Sequence, residues 1–95
     1  MKPNLEPPAQ ATRVDQWDSI GVAVRAFDGP EWIIKHAIDG GRRADIVVSV
    51  IGLQYADGRI LREIIIDCPD TAIITPAEAR KVGRALIAAA DAADG

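Results

Sequence analysis

The residues able to do chemistry in this chain are few and scattered. His36 and Cys68 are the only histidine and the only cysteine. A zinc site needs several such ligands brought together, so no metal centre is expected. One cysteine also excludes an internal disulfide and fits a reducing compartment. His36 lies beside Ile33, Ile34 and Ile38, which is the setting of a packed or surface histidine. Cys68 precedes Pro69 and has no basic neighbour nearer than Arg62, so it reads as an inert, buried strand-end thiol. Ser19 and Ser49 fall inside strand-like segments, and neither sits in the G-x-S-x-G elbow that exposes a serine nucleophile. Glu63 and Asp67 are two acids on a solvated strand face. Neither G-x-x-x-x-G-K-[ST] nor G-x-G-x-x-G occurs, so no phosphate cradle is predicted. The reading is a chain with no catalytic residues, no metal and no cofactor.

Basic and aromatic residues raise a second chemistry. Arg25, Lys35, Arg42, Arg43, Arg59 and Arg62 fall in the sheet region, Arg80, Lys81 and Arg84 lie together on a helix, and Trp17, Trp32 and Tyr55 could stack on bases. Against this stand fourteen acidic residues to eleven basic ones, a formal charge of −3, and the lack of any recognised nucleic-acid motif. A regulatory nucleic-acid binder is therefore the alternative reading, not the first.

The elements that must position these residues are legible. Ninety-five residues, 48% hydrophobic and 26% charged, describe one small domain. Met1 to Gln16 holds three prolines and no periodicity, which predicts a flexible N-terminal arm ahead of a single domain over 17–95. Ser19 to Phe27 alternates with period two and predicts a strand. Asp28-Gly29-Pro30 predicts a turn, and Glu31 to Ile38 a second strand, with a short helix as its rival. The strongest signal is a central hairpin, 46–54 with 60–68, around Asp57-Gly58. Thr75-Pro76-Ala77-Glu78 announces a helix over 76–93 through a capping box, with Pro76 at its first position. The fold class is α+β: a small antiparallel sheet of three or four strands packed by one C-terminal helix.

The helix should bury Val82, Ala85, Leu86, Ala89 and Ala93. With Asp57-Gly58 as a two-residue turn, Tyr55 faces Ile60 and Ile51 faces Ile64. Val47, Ile51, Leu53, Tyr55, Ile60, Ile64 and Ile66 then share one face, while Val48, Val50, Leu61 and Ile65 share the other. A slip of one residue would exchange the faces. One helix covers one face, so the Val48, Val50, Leu61, Ile65 face is predicted to meet a partner, with Trp17, Trp32, Arg42 and Arg43 as rim or anchor groups. A homodimer is the first expectation and a different protein the second.

The tail Ile74-Thr75-Pro76-Ala77-Glu78-Ala79-Arg80, followed by Ala85-Leu86-Ile87-Ala88-Ala89-Ala90-Asp91, resembles the ending of small uncharacterised proteins of actinobacteria and their bacteriophages. The resemblance implies a phage or prophage origin and a host protein as partner, and it supplies no catalytic residues. Lys2 is followed by prolines rather than an apolar run, and no segment approaches the ~20 apolar residues of a membrane span, so a cytoplasmic, membrane-free protein is expected.

Overall fold

The computed structural model describes residues 4–18, 22–38, 41, 42, 44–69 and 71–94. Its strands are β1 (Arg13–Val14), β2 (Val24–Ile34), β3 (Ala37–Ile38), β4 (Gly41–Arg42), β5 (Ile46–Tyr55) and β6 (Ile60–Asp67), followed by helix α1 (Pro76–Asp94). Four strands form an open antiparallel sheet in the order β1-β2-β5-β6, and β3 and β4 pair separately. The α+β fold with one C-terminal helix is the architecture expected.

The two strands expected on either side of Asp28-Gly29-Pro30 are one. β2 runs through all three residues, and its pairing with β5 shifts between Asp28 and Glu31, so Gly29 and Pro30 together oppose Val50. This is a bulge rather than a turn. Pro30 is tolerated there because a bulge spares one ladder hydrogen bond. A Cβ on Gly29 would meet the Val50 Cβ at 3.2 Å, so glycine is what allows the close approach. Ser19 to Gly21, at the start of the first expected strand, lie outside the described residues, as does Arg43.

The central hairpin is present, with a different turn. Gly58 N donates to Tyr55 O at 3.0 Å and Tyr55 N to Arg59 O at 2.9 Å, which makes a three-residue loop of Ala56, Asp57 and Gly58. Gly58 has φ +98°, the left-handed position that ends a type I turn with a G1 bulge. The added loop residue shifts the register by one. Leu53 opposes Leu61, Ile51 opposes Glu63, Val50 opposes Ile64 and Val48 opposes Ile66. The expected pairings of Tyr55 with Ile60 and Ile51 with Ile64 are therefore corrected, and so is the division of faces.

Directly opposed residues share a face. One face carries Trp32, Ile34, Ile46, Val48, Val50, Ile64 and Ile66, and α1 packs on it. Ile34, Ile46, Val48, Val50, Ala85 and Ala89 form the buried core, flanked by Trp32, Ile74, Val82 and Leu86. Val48 and Ala89 are fully buried. Alanines at 85 and 89 let the helix lie close to the sheet. The capping box is closed at both ends: Glu78 N donates to Thr75 Oγ1 at 3.1 Å, and Thr75 N donates to Glu78 Oε1 at 2.8 Å.

Residues 4–9, within the arm expected from the sequence, are laid over the rest of this face. Arg25 Nη2 donates to Leu5 O (3.1 Å), Gln54 Nε2 to Glu6 O (2.7 Å) and Arg62 Nη2 to Ala9 O (3.4 Å). Pro8 is buried, and so are Phe27 and Gln54. A Cβ on Gly52 would run into the Phe27 ring and the Leu61 carbonyl, so the ring occupies the space glycine leaves. The arm's composition hides these anchors because they are its backbone carbonyls, which any sequence carries.

Candidate interaction surface

The opposite face of the sheet is built by alternation along the same strands. Ile33, Val47, Ser49, Ile51, Leu53 and Tyr55 project there from β2 and β5, joined by Leu61, Glu63, Ile65 and Asp67 of β6. Helix α1 and residues 4–9 both lie on the other side. Among the described residues no element crosses this face. Ile33 is 51% exposed, and Leu61 and Ile65 are each 43% exposed. Its polar groups are mostly acidic: Glu31, Glu63 and Asp67. Arg13, beside them, donates from Nε to Asp28 Oδ2 at 2.8 Å and lies 3.5 Å from Asp15.

The predicted contact residues therefore separate. Val48 and Val50 are core beneath α1, which corrects their assignment to a partner surface; the one-residue register shift is the cause. Leu61 and Ile65 are exposed on the open face, with Ile33, Val47 and Leu53 as the neighbours the sequence reading did not assign to it. Trp32 is half-buried against the core, on the helix side. Trp17 is half-buried, with the Arg25 guanidinium 4.6 Å from its ring centre. Arg42 belongs to β4, which pairs with β3 and not within the four-stranded sheet. The three-residue loop was the signal available for the true register, since Asp-Gly suits it as well as a two-residue turn.

β6 adds a second feature. It is an edge strand, and Ile60, Leu61, Ile64, Ile65 and Ile66 are all exposed along it. Because Tyr55 and Arg59 form a hydrogen-bonded pair, alternation makes Leu61, Glu63, Ile65 and Asp67 the residues bonded to β5. The N–H and C=O groups of Ile60, Arg62, Ile64 and Ile66 point outward. Cys68 follows this edge and is exposed, contrary to the buried thiol expected, because among the described residues no strand lies beyond β6 to cover it.

Several titratable groups are engaged within the fold. His36 is 2% exposed, and its Nδ1 lies 3.0 Å from Glu78 Oε2. A carboxylate accepts, so Nδ1 carries the hydrogen. Nε2 is buried with no partner among the described residues. The Thr75 N–H and then the His36 hydrogen bond hold the Glu78 carboxyl below its ordinary range. The Arg59 backbone N–H does the same for Asp57, aided by the Arg59 side chain. Arg59 lies over the Tyr55 ring, Arg62 over Phe27, and Lys35 pairs with Asp45 at 3.1 Å. Of the sheet cations counted as a nucleic-acid surface, Arg25, Lys35, Arg59 and Arg62 thus have partners in their own chain. Among the described residues, no group of three or more histidine, cysteine or acidic side chains could hold a metal ion, and no helix is long and apolar enough to cross a membrane.

Comparison with protein-family models, with curated proteins and with solved structures gives no significant match to this chain.

Proposed function

We propose that this chain is a protein–protein interaction module that binds through the open face of its sheet. The observation that carries this reading is the exposed apolar surface of Ile33, Leu61 and Ile65, with half-buried Leu53 opposite Leu61, on the side away from α1. Contiguous apolar surface of this kind on a small domain marks an interaction site. The acidic rim of Glu31, Glu63 and Asp67 selects a partner whose apolar patch is bordered by lysine or arginine. The role is binding rather than catalysis, because what the fold turns outward is apolar side chains and strand edge. The likeness of the tail to actinobacterial and actinobacteriophage proteins extends the reading to a phage- or prophage-encoded modulator of a host protein.

Photo-crosslinking residues placed at 33 and 65, and separately at 80 and 87 on the outer side of α1, test it in actinobacterial lysate treated with nuclease. Adducts of one defined protein mass from positions 33 and 65 alone are expected. Adducts from 80 and 87 instead, or adducts that vanish with nuclease, would overturn the reading.

A further inference from the structure

We infer that β6 is the seam of a homodimer, pairing antiparallel with β6 of a second copy to continue the sheet across a two-fold axis at Ile64. This seam is distinct from the open face and does not depend on it. An outward row of unpaired N–H and C=O groups is satisfied most fully by another strand. Edge strands that stay single carry guards such as prolines, charged side chains, bulges or short length. β6 has eight residues, no proline and an unbroken register with β5, and its charges Arg62, Glu63 and Asp67 can each be set against an apolar residue of a second copy. Five of its residues are isoleucine or leucine, and each is exposed.

A second copy of β6 can pair along the strand without opposing like charges, and the charges choose the axis. The outward residues are the even-numbered ones, so a symmetric antiparallel pair must set even against even. An axis at Glu63 puts Glu63 against Glu63, one at Arg62 puts Arg62 against Arg62, and one at Ile65 puts Glu63 against Asp67. Like charges directly opposed are destabilising. An axis at Ile64 avoids all of these contacts. It sets Ile64 against Ile64, Arg62 against Ile66, Glu63 against Ile65 and Leu61 against Asp67, and it pairs Leu61 to Asp67 along its whole length. Both helices then lie on one side of the joined sheet, with Ile64 and Ile66 of each copy between them. The open face continues across both copies on the other side.

The shape of the single chain fits such a half. Its radius of gyration is 16.4 Å, with extents of 55 × 24 × 17 Å. A compact chain of this length has a radius of about 12 Å.

Disulfide trapping reads the register in the full-length protein. In a Cys68→Ser background, chains carrying Glu63→Cys are mixed with chains carrying Ile65→Cys. These positions oppose each other as a non-hydrogen-bonded pair, with Cα atoms about 4.5 Å apart, within disulfide reach. The expected product is the mixed dimer, with neither variant linking to itself. Self-linkage of Glu63→Cys, or no linkage with a monomer in sedimentation, overturns the proposal. Ile64→Pro removes an outward N–H and leaves the β5 ladder intact, and Ile64→Lys keeps the backbone and sets two cations against each other. Each should raise the dimer dissociation constant about tenfold or more with the fold retained. Ile33→Lys, on the open face, should leave the dimer unchanged. If Ile33→Lys dissociates the copies while both Ile64 variants stay dimeric, the copies meet through their open faces. The seam is then refuted while the open-face reading survives.

Discussion

Replacing Val48 by alanine is the sharpest test of which sheet face α1 covers. Val48 is fully buried, opposed by Trp32 and Ile66 and packed with Ala85 and Ala89 in one core cluster. The change removes two methyl groups, worth about 1.6 kcal/mol of transfer free energy at ~0.8 kcal/mol each. The hole left beneath a rigid helix raises the total to about 2–3 kcal/mol. A domain of this length has a total stability of about 5–14 kcal/mol, so the loss is large. With a urea slope of ~1.5 kcal/mol per molar, the midpoint should fall by about 1.5 M. Ile33→Ala, on the open face, should change stability by less than about 0.5 kcal/mol. Both are measured by urea unfolding at one low-micromolar concentration, followed by far-UV circular dichroism. A Val48→Ala cost below ~0.5 kcal/mol, or a cost at Ile33 equal to that at Val48, would refute the assignment of the faces.

Other expectations follow from single contacts. Gly52→Ala should destabilise by about 1–3 kcal/mol, because a Cβ there collides with the Phe27 ring and the Leu61 carbonyl; a neutral result in thermal unfolding would place Phe27 elsewhere. Gln54→Ala removes the amide joining Arg25 Nε (2.7 Å) to the Glu6 carbonyl, so subtilisin should cleave residues 4–11 faster, and an unchanged rate would contradict the strap. The depressed Glu78 carboxyl contributes stability that is fully present above its ordinary value of 4.5 and is lost as pH falls through its lower folded value. Glu78→Gln should therefore show a shallower fall of thermal midpoint below pH 4.5 than the parent chain, and parallel profiles would refute the linkage.

Local chemistry made much of the fold readable in the sequence. Thr75, Pro76 and Glu78 determine the start of α1 by bonds within four residues, and Asp57-Gly58 marks the hairpin by the backbone angle glycine permits. The partner surface was less readable because it depends on parity. One loop residue more or less decides whether Val48 or Val47 faces the helix, and Asp-Gly suits both loops. Gly29-Pro30 reads as a break because a bulge and a turn use the same residue types, and only the opposing Val50 distinguishes them. The fold of the arm over Phe27 has no pattern to read, since carbonyls of Leu5, Glu6 and Ala9 do the bonding. His36 could be placed beside isoleucines, but its partner Glu78 is far along the chain.

Residue-resolved amide hydrogen exchange along β6, recorded over a range of protein concentrations, shows whether the strand edge is covered by a second copy. In the single chain Leu61, Glu63, Ile65 and Asp67 donate to β5 and should be protected, while Arg62, Ile64 and Ile66 face outward and should exchange fast. Arg62, Ile64 and Ile66 should become protected as concentration rises, with the alternation disappearing along the strand. Alternating protection that persists at every concentration would contradict the β6 seam.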